Sequence, residues 1–427
     1  MSQATFPKES VPLRLCFPCR KDTCCGEVVA INTEHATEIY ARCAPLRGEA
    51  MQLDFEGQVR RFYGCLPRLL GNGGGRMDHV VLERVFFEDF TRDRDTFLQA
   101  RGEAYAAAGV AEADRPAVTY IRQPPCHQPQ KVEVQIYAVV PATPQSVSVQ
   151  TEFDPETGAN LKLLTIGGKR HLYIADIKGV TPASDQSMGF REQSDRMFAH
   201  CARLLDRHGA HFDQVLRTWC YLKDIDRDYA QFNLSRNAFF AEHGIRRLPA
   251  STGIEAGLWP DSALCGMDLY ALLDTDGVDV QVMHTPTLNE ADEYGSSFSR
   301  GMRIDLPEKI VLHVSGTASI DEQGKTVHWG DTAKQLERML VNVRELLVHQ
   351  GASFEDVVQI ATFLKHADAS YDACRELLEQ WGIRHVPNTF VEAGVCRPEL
   401  LCEMEAIAIL PKRRGAARPD SSGGCGC

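Results

Sequence analysis

The chain alternates between two hydrophobic periods, one typical of helices and one typical of strands. Apolar side chains at Leu336, Met339, Leu340, Val343 and Leu347 recur at helical spacing, which predicts a helix with one buried face. Segments such as VVLERVFF and MEAIAI instead alternate or run apolar, as the strands of a buried sheet do. Because such a helix must bury its apolar face against a sheet, the pattern predicts an α+β fold with two helices on one face of a mixed β-sheet.

This order of elements occurs three times. In each copy a helix that begins at a glutamine is followed by a Gly-containing turn, an apolar strand, a second helix and a Pro-led segment that runs into a final strand. The glutamines are Gln58, Gln193 and Gln335. The final strands carry Glu133, Asp268 and Glu403, spaced by 135 residues, and we predict that these three carboxylates occupy equivalent places.

The repeats divide the chain into three units, with boundaries predicted at 26–142, 143–276 and 277–412. We refer to them as units one, two and three. A cysteine-rich segment, 1–25, precedes them. A tail rich in Arg, Gly and Ser, 413–427, follows them and is predicted to be disordered.

Composition narrows the range of partners. A formal net charge of -12 disfavours nucleic acid, because an acidic surface repels phosphates. No apolar run approaches the roughly 18 residues of a membrane span, and the N-terminus lacks the layout of a secretory signal. We therefore predict a cytoplasmic protein that binds neither nucleic acid nor membrane. Four cysteines cluster near the N-terminus, at Cys16, Cys19, Cys24 and Cys25. They could bind a metal ion or could be reduced thiols, and we predict that the protein holds no metal and no cofactor.

The third copy carries the fullest set of motifs. Tyr294 precedes an apolar strand, SGTASID follows, then a Gly330–Asp331 pair, and the closing strand contains Glu403 and Glu405. These residues resemble the Rid/YjgF superfamily, strongly in copies two and three and weakly in copy one. Members of that family form trimers of a chorismate-mutase-like fold with ligand sites at the three interfaces. The resemblance therefore implies an intramolecular pseudo-trimer, as a monomer or small homo-oligomer, with working sites in the clefts between units.

One departure from the family concerns the arginine that anchors the substrate carboxylate in imine-hydrolysing Rid enzymes. It follows the Pro that leads into the last strands, and the matching places hold Val118, Ser251 and Thr389. Without that guanidinium fork, ordinary 2-aminoacrylate deamination is not expected.

Copies two and three together resemble the chorismatases, a subfamily that hydrolyses chorismate. In copy two, the segments that resemble that subfamily are RTWCYLKDI and LPASTGIEAG. In copy three, they are Tyr294-Gly295 with the following Phe298-Ser299-Arg300, the segment TVHWGD that begins at Thr326, and CRPELLCE, which ends at Glu403. The chain departs from the subfamily in its extra N-terminal copy and in Cys220, where chorismatases carry Asn.

The resemblance assigns roles to five residues. Chorismate has two carboxylates and an enol-pyruvyl ether, so its site needs guanidinium groups and an acid that protonates the ether methylene. The implied acid is Glu403, with Cys396 directing the reaction to a hydroxybenzoate, since hydroxybenzoate-forming chorismatases carry Cys there. The implied substrate-binding residues are Arg300, Arg397 and Tyr294.

Each of these residues also has a structural interpretation. Glu403 and the two arginines could form ion pairs at the surface or at an interface. Cys396 could simply pack in the core, and Tyr294 could cap the edge of a strand. Cys126 lies seven positions before Glu133, as Cys396 does before Glu403, so a second site in unit one stays open, although Gln135 replaces the second acid.

The sequence thus favours a hydrolase that releases pyruvate from chorismate, a small-molecule carboxylate. Two alternatives remain: a non-catalytic metabolite-binding or assembly protein, and a hydrolase of another imine or enamine on the same scaffold.

Overall fold

The structure is a computed structural model. It describes residues 26–45, 48–184, 187–289 and 297–412. The cysteine-rich segment 1–25, the tail 413–427 and Tyr294 lie outside these ranges, so the predictions made for them concern residues that are not described.

Unit one is a five-stranded sheet in the order β1-β2-β5-β3-β4, in which β3 and β4 are parallel and the other neighbours antiparallel. Its elements are β1 (Gly26–Asn32), β2 (Ala36–Cys43), α1 (Phe55–Gly71), β3 (Val80–Phe87), α2 (Phe90–Ala107), β4 (Ala117–Arg122) and β5 (Val132–Pro141). Asp54 and Asp89 begin the two helices by accepting hydrogen bonds from backbone N–H groups of the first turn.

Units two and three repeat this sheet and add one edge strand each, β6 and β12. The elements of unit two are β6 (Val147–Phe153), β7 (Asn160–Ile166), β8 (Lys169–Lys178), α3 (Phe190–Asp206), β9 (Val215–Leu222), α4 (Ile225–Glu242), β10 (Ala250–Glu255) and β11 (Cys265–Leu272). Those of unit three are β12 (Asp279–Val282), β13 (Gly301–Asp305), β14 (Lys309–Ala318), α5 (Thr332–Val348), β15 (Val357–Leu364), α6 (Ala367–Gln380), β16 (Asn388–Glu392) and β17 (Cys402–Pro411).

Strand alternation sends side chains to two different cores. In unit one, Ile39 and Ile136 pack beneath the helices, whereas their neighbours Tyr40 and Tyr137 join a core shared with the other two units. Short β-bridges such as Arg122–Gly257, Pro125–Val391 and Ile254–Val395 link the units. The predicted α+β architecture, three repeated units in an intramolecular pseudo-trimer, is confirmed.

The three units share a glutamine at the same place in their first helix, and this shared position has a structural cause. The prediction that each helix begins at the glutamine was wrong. Each first helix begins three residues earlier, at Phe55, Phe190 or Thr332. The buried glutamine is the fourth residue, and its Oε1 accepts a hydrogen bond from a backbone N–H just before the final strand. It thereby fixes the first helix to the strand that carries the acidic residues.

The strand register corrects the predicted equivalence of the three carboxylates. Glu133 lies opposite Phe86 and Glu403 opposite Phe363, but in unit two the corresponding Tyr221 lies opposite Gly266. Asp268 is two residues further along, at the place of Gln135 and Glu405. The equal spacing of 135 residues was misleading, because the connections from β3 to β5, from β9 to β11 and from β15 to β17 differ in length.

Candidate active site

An open cleft lies between units two and three, and we call it the 2/3 cleft. It encloses about 370 Å³, within the size range of small-molecule sites. Helix α4 and strand β10 of unit two form one wall, and β14, β17 and the loop before β17 form the other. Its polar and sulfur-containing lining residues are Tyr229, Asn233, Arg236, Ser251, Arg300, Cys396, Arg397 and Glu403. Four of the five predicted site residues therefore meet in one cavity, and Tyr294 is not described.

Glu403 is the buried carboxylic acid of this cleft. Its side chain faces Gly316, where an added Cβ would overlap the carboxylate, so the glycine makes room for the acid. Within the described residues, no hydrogen bond reaches the Glu403 carboxylate. Burial, reinforced by the negative charge of Glu405, raises the pKa of Glu403 to about 8, against the opposing effect of Arg217 and Arg300. The carboxyl group therefore carries a proton at neutral pH.

Glu405, two residues along the same strand, has the opposite electrostatic environment. It accepts hydrogen bonds from Arg84 of unit one at 2.9 Å, from Arg217 of unit two at 2.7 Å and from the Trp219 indole at 3.0 Å. Burial alone would raise the pKa of Glu405, but the two guanidinium groups outweigh it and lower the pKa. One strand therefore presents a protonated acid and a fixed anion, and the anion helps to hold the proton on Glu403.

The predicted arginines line the cleft in different ways. Arg300 is only 3% exposed, so the interpretation as a surface charge was wrong. It donates to the backbone oxygen of Asn289 at 2.8 Å and lies over the Phe298 ring. Arg397 donates to the backbone oxygen of Gly324 at 2.7 Å, which attaches the loop before β17 to the β14–α5 connection.

Cys396 lies beside the acid, and its thiol is protonated. Burial, with the nearby Glu403, raises the pKa of Cys396 to about 12, against the effect of Arg397 and Arg300. The group is therefore a neutral, polarisable wall of the cleft and not a thiolate nucleophile.

Sequence reasoning missed the contribution of α4. Arg236, on the buried face of this helix, donates to Asn233 Oδ1 at 2.6 Å and lies over the rings of Phe232 and Phe298. Its Nε–H has no hydrogen-bond partner among the described residues. The equivalent Arg101 of unit one is paired with Glu83, whereas unit two has Thr218 in place of that glutamate. An arginine on the apolar face of a helix was the available signal.

The cleft between units three and one, the 3/1 cleft, is closed by an internal ion pair. Arg42 donates two hydrogen bonds of 2.7 Å to the carboxylate of Glu133, and Gln130 donates a third of 2.9 Å. Arg42 also lies over the Phe390 ring. The guanidinium group fills the space that a ligand carboxylate would need, which argues against the second site considered for Cys126 and Glu133.

The cleft between units one and two, the 1/2 cleft, has no acid at the equivalent place. Gly266 stands there, and the Leu258 side chain occupies the space that a Cβ would take. Trp259 closes the outer part by packing against Phe90 and beneath Arg94. Asp268 accepts hydrogen bonds from Thr119 of unit one and Tyr221 of unit two, so it links the two units.

The described ranges contain no group of three or more His, Cys, Asp or Glu side chains placed to hold a metal ion. In the same ranges, no helix combines the length and apolar character that crossing a membrane requires.

Comparisons with known proteins place the chain among relatives of these units. The family model described as "Endoribonuclease L-PSP" matches residues 166–273 and 296–410, just over half of the chain. The chain is 29% identical over 99 residues to the 3-aminoacrylate deaminase RutC of Acinetobacter baylyi, covering 23% of this chain and 78% of that protein. It is 30% identical over 97 residues to a RutC family protein of Pyrococcus abyssi, covering 23% and 76% respectively.

A chorismatase crystal structure shares the fold over most of the chain. It has a TM-score of 0.57 and 16% sequence identity, and the match covers 78% of this chain and 93% of the chorismatase.

Proposed function

This chain belongs to the endoribonuclease L-PSP family, which confirms the Rid/YjgF resemblance, and from that premise we propose that it releases pyruvate from chorismate to give a hydroxybenzoate. The observation that carries the proposal is the protonated Glu403 carboxyl, buried in an open cleft that arginines line. The chorismatase-like fold supports the same assignment.

The proposed reaction begins with proton transfer. Glu403 gives its proton to the methylene carbon of the enol ether, and positive charge develops on the ether carbon. On the hydrolytic route, a water molecule adds to that carbon, the bond between the carbon and the ring oxygen breaks, and pyruvate and a ring diol leave. On the other route, the neighbouring ring hydroxyl displaces the ether oxygen from its ring carbon, so pyruvate leaves with that oxygen and a ring epoxide remains, which opens to the hydroxybenzoate as a ring hydrogen moves to the oxygen. On either route the proton that the attacking water or hydroxyl loses restores Glu403. With ring-hydroxyl attack, hydroxybenzoate and pyruvate together contain all the atoms of chorismate, so that route consumes no net water.

The arginines supply counter-charges for the two substrate carboxylates. Arg300 and Arg397 are the predicted anchors, and Arg236 adds a buried guanidinium whose Nε–H is unpaired among the described residues. Charged hydrogen bonds of this kind orient a dianion and exclude competing neutral molecules. Ser251, at the place of the missing family arginine, instead accepts a hydrogen bond from Thr218, which disfavours the imine-hydrolase geometry.

Cys396 is proposed to steer the product. A neutral thiol beside Glu403 is small, polarisable and weakly hydrated, so it shields the ring from water and favours attack by the ring hydroxyl over hydrolysis. Aromatisation to a hydroxybenzoate follows from that choice.

The test is pyruvate release from chorismate, followed by coupling to lactate dehydrogenase. The unmodified chain should release pyruvate and a hydroxybenzoate, and Glu403→Gln should lower the rate by about 10²–10⁴-fold, the usual contribution of a general acid. Glu133→Gln removes the equivalent carboxyl of the closed 3/1 cleft and should leave the rate per folded molecule unchanged. No pyruvate at high enzyme concentration would overturn the proposal.

Two other functions are tested by parallel measurements on the same protein. A RutC-like activity would appear as ammonium release from 3-aminoacrylate. Two observations favour this alternative: the name of the Acinetobacter relative, and the need of that reaction, too, for an acid that protonates carbon. Saturable chorismate binding without turnover would indicate a metabolite-binding protein.

A further inference from the structure

A second cavity runs along the axis around which the three units are arranged. It encloses about 350 Å³ and shares no described lining residue with the 2/3 cleft. Its mouth is formed by equivalent hairpin turns, one from each unit, at Thr33–His35, Gly167 and Pro307–Glu308. We call it the central channel, and neither the proposed reaction nor the relatives assign it a role.

Aromatic rings form a continuous wall of the central channel. Tyr40 and Tyr137 have centroids 5.1 Å apart, Tyr137 and Tyr173 5.7 Å, and Tyr173 and Tyr270 4.8 Å. The His313 ring continues the row at 5.6 Å from Tyr270. A row of rings at these spacings offers faces and edges to a further planar ring.

The buried charged groups of the channel are held in ion pairs or hydrogen bonds. Glu38 pairs with Lys309 and also accepts hydrogen bonds from the hydroxyls of Tyr40 and Tyr137. At the inner end, Arg84 is bound to Glu405. In this buried part a charged ligand would lose its hydration without gaining a free counter-charge, so the inner walls favour an uncharged ligand.

The two imidazoles of the channel are neutral hydrogen-bonding groups. Burial lowers the pKa of His171 to about 4 and that of His313 to about 3. His171 Nδ1 is already bonded to the Tyr270 hydroxyl at 2.9 Å. His313 is buried, and its Nδ1 has no hydrogen-bond partner among the described residues. An unsatisfied polar atom in such a place indicates a polar group that the described residues do not supply.

We propose that the central channel is a second ligand site, which takes an uncharged one- or two-ring aromatic molecule of the phenol class. The ring lies against Tyr173 and Tyr270, and its hydroxyl hydrogen-bonds with the His313 imidazole. Each of the three units contributes wall residues, so ligand binding also holds the units together.

Phenol is the probe, and its binding to the full-length chain is measured by saturation-transfer NMR and calorimetry. His313→Phe and Tyr173→Leu should each weaken phenol binding by about tenfold, the loss expected from one hydrogen bond or one aromatic contact. His349→Phe, at an exposed helix end, is the matched control and should leave binding unchanged. Glu403→Gln should also bind phenol normally, which separates this site from the proposed reaction.

Two comparisons make the result decisive. Cyclohexanol, which has the hydroxyl but no aromatic ring, and benzoate, which has the ring but a charge, should both bind at least about tenfold more weakly than phenol. Equal binding of benzoate, or unchanged phenol binding in both channel variants, would overturn the proposal. Thermal unfolding would reveal whether His313→Phe folds. If it does not, phenol binding by Tyr173→Leu decides the outcome, because Tyr173 is partly exposed and its substitution disturbs the core less.

Discussion

The 2/3 and 3/1 clefts contain a glutamate at the same place on the same strand, yet the two carboxyl groups have opposite surroundings. Glu133 is held by both arms of Arg42, whereas Glu403 faces a glycine and has no hydrogen bond within the described ranges. Arg42 lies opposite Gln135, and Gly316 lies in the irregular stretch of β14 opposite the equivalent Glu405. One neighbouring side chain therefore separates a structural ion pair from a proton donor.

This comparison shows that burial by itself does not identify a catalytic acid. Both glutamates are buried, but one is held in an ion pair, whereas burial raises the pKa of Glu403 to about 8 and keeps a proton on it at neutral pH. The 1/2 cleft extends the comparison, because Gly266 removes the acid there and Leu258 and Trp259 fill the space.

The largest expected effect comes from copying the closed cleft into the open one. Gly316→Arg should bring a guanidinium to Glu403, keep the carboxyl ionised and fill the cavity, so pyruvate release should fall by about 10³-fold. Gly64→Arg, on an exposed face of α1 where a Cβ meets nothing, is the matched control. Steady-state rates of both variants, with thermal unfolding to verify folding, check this, and a fully active Gly316→Arg protein would contradict it.

The reverse change tests the ion pair. Arg42→Met leaves Glu133 buried without its counter-charge and should lower the free energy of unfolding by about 3–5 kcal/mol. Urea unfolding followed by circular dichroism measures it. Arg60→Ala breaks an exposed pair with Glu56 and Glu103 and should lower the free energy of unfolding far less, because solvent screens exposed ion pairs. Equal losses in the two variants would show that the Arg42 pair is not special.

The third prediction is a pH dependence. Only protonated Glu403 can act as the acid, so kcat/KM should be level below its pKa of about 8 and fall about tenfold per pH unit above it. The folded state also keeps a proton that the unfolded state releases above about 4.5, so stability should decline as pH rises towards 8. Glu403→Gln should lack this decline, and an identical stability profile in the variant would refute the assignment.

The smallest effect on rate is expected at Cys396. Cys396→Ala should keep pyruvate release within a few-fold of the parent and shift the products from hydroxybenzoate towards non-aromatic diol, as chromatography would show. Cys126→Ala, at the equivalent place of the 3/1 cleft, should leave the product ratio unaltered. An unchanged ratio in both variants would mean that Cys396 only packs the cleft.

Much of the fold follows from the sequence, because the repeats impose the same helix and strand periods three times. The meeting of Glu403, Cys396, Arg300 and Arg397 in one cleft also agrees with the motifs. The place of Asp268 in its strand could not be predicted from the spacing, because connections of unequal length shift the register of the final strand by two residues. Arg236 was missed because its availability depends on Thr218, a residue far away in sequence that replaces the glutamate partner found in unit one.

Fusing three units into one chain has a consequence that a homotrimer could not share. Identical subunits repeat every substitution at all three interfaces, so a glycine that opens one pocket opens the others, and an arginine that closes one closes them all. A single polypeptide carries Gly316 and Arg42 at corresponding points together. It can thus keep one interface open as a pocket while side chains close the other two.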